Sequence, residues 1–128
     1  MSVFRRGRGG PGRVTTQVAA ARTGHVDGGS GGDAVLLDVR EPNEWQAGHA
    51  PHAVHLSLSA LAAGAGLPEE AWARPLVVIC RSGHRSRHAA ELLVARGADA
   101  VDVIGGMRNW SAAGLPVVDS RGGNGTVA

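Results

Sequence analysis

The chain is 128 residues long with a mass of 13.0 kDa, which provides for one domain of about 100–150 residues and excludes two ordinary ones. Apolar types make up 43 % and the formal net charge is only +2, so a wholly disordered chain is excluded as well. All thirteen basic residues are Arg, and Arg5, Arg6, Arg8, Arg13 and Arg22 precede the first acid, Asp27; the remainder is mildly acidic, which argues against a basic face for specific nucleic-acid binding.

Residues 1–12 are rich in Gly and Arg and have little to bury, so a disordered tail is expected there, with the domain over 13–118 and a second frayed tail over 119–128. Val14 and Thr15 suit a short edge strand, and Thr16 an N-cap for a helix to Arg22. The run Gly28–Gly32 is a flexible connector. Ala34–Asp38 is a continuous apolar run ended by an acid, as in a central parallel strand buried on both faces. Glu41–Ala47 reads as one or two helical turns stopped by Gly48. Ala53–Leu56 is a short strand, followed by a small helix to Ala63 capped by Ser57 or Ser59. Leu76–Cys80 is the next buried strand, and Ser86–Arg96 the clearest helix, with Ala89, Leu92 and Leu93 on one face and Gly97 at its end. Ala100–Ile104 is a further strand, and Met107–Ala113 a last helix stopped by Gly114 and Pro116.

Short strands alternating with helices predict an α/β fold, a small parallel sheet of about five strands with helices on both faces. Ligands in such folds sit at the carboxyl ends of the strands, and Cys80 stands at one. It is the chain's one cysteine, which excludes an intrachain disulfide. The segment Cys80–Ser86 joins a buried strand to a helix N-terminus, where converging amides and the helix dipole favour a thiolate over a thiol. Arg81 and Arg85 add donors for an anion, and Gly83 permits a sharp turn. No apolar stretch approaches the roughly 20 residues of a membrane helix. The pair Arg5–Arg6 lacks the apolar segment of an export signal, so a cytoplasmic location is expected.

Four segments, in order, carry a resemblance: Asp38-Val39-Arg40-Glu41-Pro42-Asn43-Glu44-Trp45; Gly48 to Leu56; the Cys80 loop; and Gly105-Gly106-Met107-Arg108-Asn109-Trp110 followed by Gly114-Leu115-Pro116-Val117. From about Val14 to Val118 the chain resembles a single-domain rhodanese, a sulfurtransferase. The resemblance implies a persulfide cycle without a cofactor. Cys80 takes the outer sulfur of a donor such as thiosulfate and passes it to cyanide, a thiol or a protein acceptor. Carried over residue by residue, Cys80 is the nucleophile, Arg81, Ser82, Gly83, His84 and Arg85 cradle the substrate, and Asp38, Arg40 and Ser86 brace the loop.

Blander readings stand beside these. A lone cysteine is commonly an inert buried thiol. His49, His52 and His55 are spaced by three, and Cys80, His84 and His88 by four, but neither set has the spacing of a closed metal site, and none is expected. Trp45, Trp72 and Trp110 read as core or cleft-wall packing. Two rivals remain: a non-catalytic binding module on the same fold, and a cysteine-dependent phosphatase or arsenate reductase. The latter needs a loop one residue longer, with Arg where Ser86 stands.

Overall fold

The computed structural model describes residues 11–26 and 32–128. The expected tail up to Gly10 and Gly28–Gly31 of the connector lie outside those residues.

Five parallel strands, β1 (Arg13–Val14), β2 (Val35–Asp38), β3 (Val54–His55), β4 (Leu76–Ile79) and β5 (Ala100–Val103), form one sheet in the order β1-β5-β4-β2-β3. The helices are α1 (Thr16–Arg22), α2 (Pro42–Ala47), α3 (Leu58–Ala62), α4 (His84–Ala95) and α5 (Gly106–Ala112). Strand alternation sorts the core into two layers. Val35, Leu37, Leu76 and Val78 meet Leu61 of α3 and Ala89, Ala90 and Leu93 of α4. Leu36, Val77, Ile79 and Val103 meet Ala19 and Ala20 of α1 and Met107 and Trp110 of α5 on the other face. The continuous apolar runs of β2 and β4 are explained by this burial on both sides, and the expected α/β architecture is present.

The elements differ from expectation mainly at their ends. Thr15 rather than Thr16 caps α1, its hydroxyl accepting from the Val18 amide at 3.2 Å, and β1 is Arg13–Val14. Of the two candidate caps of α3, Ser57 is the one used. The helix after Cys80 begins at His84, two residues early, and a 3-10 turn at Glu69–Ala71 was not foreseen. Trp110 is wholly buried and Trp45 half-buried, whereas Trp72 is 61 % exposed, its indole nitrogen donating to the Leu67 carbonyl at 2.9 Å.

The segment from Val117 on, of which 119–128 is expected to fray, folds back along the Gly48 turn. His49 and Val118 exchange two backbone hydrogen bonds of 2.8 Å, the Thr126 amide donates to Ala47, and the Gly125 amide donates to Val117. Asp119 organises the return by accepting from the Arg121 and Gly123 amides at 2.9 Å. Backbone pairing holds this short chain, with Val117 and Val127 packed half-buried against the core, and composition does not report such pairing. No helix among the described residues is long and apolar enough to cross a membrane.

Trp110 joins α5 to this segment, its indole nitrogen donating to Pro116 at 2.9 Å. Trp110→Ala empties a fully buried site and leaves that carbonyl without its donor, so a loss of about 3–5 kcal/mol is expected, measured by urea denaturation.

Candidate active site

β4 ends at Ile79, and the chain turns from Cys80 into α4 within four residues. The N-cap position is Gly83, in the left-handed region at φ +102°, and it has no side chain to accept from the first amides of the helix. The Cys80 sulfur takes that role. Its Sγ accepts from the Gly83 amide at 3.1 Å and from the Ser86 amide, third in the helix, at 3.3 Å. A sulfur in a capping position sits at the positive end of α4, where negative charge is favoured. Its S–H donates to Ser86 Oγ at 3.4 Å, and Ser86 Oγ–H in turn donates to Asp102 Oδ2 at 2.9 Å. Cys80 and Ser86 are fully buried.

The carbonyl side of the loop is held by other elements. The Met107 amide donates to Cys80 O at 2.7 Å and the Arg108 amide to Arg81 O at 3.0 Å, so the N-terminus of α5 docks on the loop. This approach requires glycine: a Cβ on Gly106 (φ +57°) would lie 2.3 Å from Cys80 O. On the opposite side Arg13 of β1 donates through Nη2 to Gly83 O at 3.1 Å and forks onto Asp102 of β5 at 2.9 and 3.1 Å.

The predicted site residues separate into those gathered at the sulfur and those engaged elsewhere. Cys80, Gly83 and Ser86 form the capped turn. Arg81, Ser82 and His84 are exposed around it, with Ser82 Oγ and His84 Nδ1 3.3 Å apart. Arg85, expected to be free for an anion, instead forks onto Glu44 of α2 at 2.6 and 2.8 Å. Two parallel charge-assisted bonds make Glu44 a strong partner for a guanidinium. Asp38 and Arg40, expected to brace the Cys80 loop, form a wholly buried ion pair of 2.8 Å whose spare donor goes to Gly48 O at 2.6 Å. Asp38 Oδ1 also accepts from the Arg40 backbone amide, which curls the guanidinium back on its own carboxylate and turns its reach to the Gly48 segment. The histidines His49 and His55 both stack on Trp45, at ring separations of 3.6 and 4.9 Å. Each uses a ring nitrogen on a backbone carbonyl, of Trp45 and of Arg40 respectively.

Arg13, Glu44 and Asp102 were missed. Asp102 carried the one available signal, an acid interrupting an apolar strand at a position now seen to be 2 % exposed.

The profile of the rhodanese-like domain matches residues 25–113, which take in the Cys80 turn, its Gly105-Gly106 support and the Asp38–Arg40 pair. The chain belongs to the rhodanese-like domain family. Among solved structures it is similar to a rhodanese-related protein of Thermoplasma volcanium, with 29 % identity over 84 % of this chain and 97 % of that one and a TM-score of 0.70. A protein of Rhodopseudomonas palustris described as a possible tyrosine phosphatase shares the fold, with 24 % identity, 84 % of each chain covered and a TM-score of 0.65. A thiosulfate sulfurtransferase of Pseudomonas aeruginosa shares it too, at 23 % identity over 85 % of this chain and 19 % of that one, with a TM-score of 0.62. This rhodanese-like chain thus shares its fold with proteins described with either chemistry.

The Arg85 fork holds the Glu44 carboxyl at about 2, down from an ordinary 4.5, against a smaller opposing effect of burial. A depressed carboxylate contributes stability that is complete above its unfolded value and is lost as pH falls through the folded one. Denaturation midpoints should therefore drop between roughly pH 4.5 and pH 2, and Glu44→Gln should flatten that part of the curve while keeping the backbone cap at Glu41. An unchanged acid limb in Glu44→Gln would place the acid sensitivity in another carboxylate.

Proposed function

We propose that the protein is a sulfurtransferase that carries a sulfane sulfur as a persulfide on Cys80. The observation that carries this reading is the capped sulfur: the chain's one thiol, itself fully buried, accepts two backbone amides at the N-terminus of α4. Those donors are oriented by the fold before any reaction and favour negative charge on sulfur.

In the first half-reaction the Cys80 thiolate attacks the outer sulfur of thiosulfate. A new S–S bond forms, the donor's S–S bond breaks, and its electron pair leaves with sulfite. In the second, a thiolate or cyanide attacks the terminal sulfur of the persulfide, the Cys80–sulfur bond breaks, and the Cys80 thiolate is regenerated. Two separated steps predict ping-pong kinetics. Arg81, exposed at the start of the loop, is the cation available to the departing sulfite, since Arg85 is held by Glu44. With no second cysteine in the chain, the persulfide is discharged to an outside small thiol, cyanide or protein acceptor. No cofactor is needed.

Ser86 disfavours the phosphatase alternative, because a phosphoryl-binding loop of this kind needs an Arg there to clamp the tetrahedral anion. The non-catalytic alternative draws on one observation: Cys80 has no exposed surface, so a donor reaches it only when the turn over it gives way.

Intact-mass measurement after incubation with thiosulfate decides among these. The wild-type chain should gain the mass of one sulfur, removable by cyanide, with stoichiometric sulfite release; Cys80→Ser should gain nothing while keeping its circular dichroism spectrum. Aryl phosphate hydrolysis without sulfite release would reverse the ranking, and a wild-type chain unmodified by thiosulfate or polysulfide would favour the binding module.

A further inference from the structure

Both residues whose amides reach the Cys80 sulfur are also tied to a single ion pair. Gly83 donates its N–H to Sγ and its carbonyl accepts from Arg13 Nη2 at 3.1 Å; Ser86 donates its N–H to Sγ and its hydroxyl to Asp102 Oδ2 at 2.9 Å. Arg13 and Asp102 are themselves joined by two bonds, of 2.9 and 3.1 Å. The circuit closes from sulfur through Ser86, Asp102, Arg13 and Gly83 back to sulfur. Its parts come from three places in the chain: β1, the Cys80 turn with the first turn of α4, and β5.

We propose that Asp102 and Arg13 act as one positioning unit that fixes the amide donors on the Cys80 sulfur and so sets the rate at which this thiol is loaded. The inference rests on the sulfurtransferase reading for its kinetic consequence. Neither residue contacts the sulfur. Asp102 accepts the Ser86 hydroxyl proton, which aims a lone pair of Ser86 Oγ at the Cys80 S–H and holds the first turn of α4 in place. Arg13 offsets the Asp102 charge and pins the peptide of Gly83, whose left-handed conformation has no side chain to fix it. Lysine cannot replace this fork, because one ammonium does not span two carboxylate oxygens and a carbonyl with the same planar geometry.

The test uses Arg13→Ala, Arg13→Lys, Asp102→Asn and the double variant Arg13→Ala/Asp102→Asn in the full chain. Circular dichroism and thermal melting monitor folding. Arg13 is one-third exposed, so its removal spares the core, and it remains informative where an Asp102 variant fails to fold. Removing a preorganised donor outright costs about 100- to 1000-fold in comparable sites, and loosening two donors should cost less, about 10-fold in the single-turnover rate of persulfide formation at saturating thiosulfate. KM for thiosulfate should stay within about twofold, since neither residue binds the donor. Arg13→Lys should recover only part of the rate. The double variant should be no slower than the slower single variant, because residues acting as one unit do not lose their effects additively. Alkylation of Cys80 by iodoacetamide, which needs no sulfur chemistry, should slow or lose its selectivity in parallel.

Arg13→Ala that loads and alkylates like wild type overturns the inference. So does a double variant whose loss is the product of the single losses. A wild-type chain that alkylates readily but never loads sulfur overturns the function reading instead, and the alkylation comparison then still decides whether Arg13 and Asp102 position the thiol.

Discussion

The first amides of a helix need acceptors, and where they are buried at the end of a central strand they cannot rely on water. At the start of α4 the usual capping side chain is absent because Gly83 fills the position, and the acceptor is the Cys80 sulfur. This makes the geometry of the turn and the electronic state of the thiol one problem. A negative sulfur caps the helix better than a neutral one, and the helix dipole favours the same state. The apolar strand before Cys80 and the helix after it are therefore part of the site, since each fixes one end of the seven-residue turn.

A turn this tight leaves carbonyls as well as amides to be satisfied. Cys80 O and Arg81 O accept from the first turn of α5, and Gly83 O accepts from Arg13. The Gly105–Gly106 pair is explained by this crossing, because a side chain at Gly106 would occupy the space of the Cys80 carbonyl. The four motifs of the sequence resemblance thereby acquire separate physical tasks. One supplies the Cys80 turn, one its carbonyl support, one the Glu44 partner of Arg85, and one the Gly48 turn on which Arg40 and the C-terminal segment converge.

The parts of the fold legible in the sequence were those written as runs or periods. The strands Val35–Asp38 and Leu76–Ile79 show their burial in consecutive residues and the helix His84–Ala95 in a period through Ser86, Ala89, Ala90 and Leu93, so their existence could be read with ends off by one or two positions. Cys80 was legible because strand, glycine and helix lie next to it in the chain. Arg13 and Asp102 were not, since Arg13 sits beside an arginine-rich tail and Asp102 resembles a flaw in an apolar strand; only the pairing of β1 with β5 makes them neighbours. The Arg85–Glu44 pair was hidden for the same reason, because Glu44 is 41 positions away and nothing local marks it. The C-terminal segment pairs its backbone with His49, and that pairing leaves no trace in side-chain chemistry.

The two ion pairs that flank the turn illustrate how one charge type serves two ends. Asp102 lies one hydroxyl away from the sulfur and is 2 % exposed, so its charge is poorly screened by water and, left alone, would oppose negative charge on Cys80. Arg13 supplies the balancing charge, and the pair holds Ser86 in place without presenting the sulfur with a net negative neighbour. Glu44 does the reverse at the far end of the turn, neutralising Arg85, which would otherwise stand as a free cation beside the helix start. What remains at the sulfur is then mainly the field of backbone amides and the α4 dipole, held in position by the strand, the helix and the Arg13–Asp102 pair. A single sulfur atom, small and polarizable, suits such a field, whereas a tetrahedral phosphoryl group calls for a guanidinium at the position that Ser86 fills.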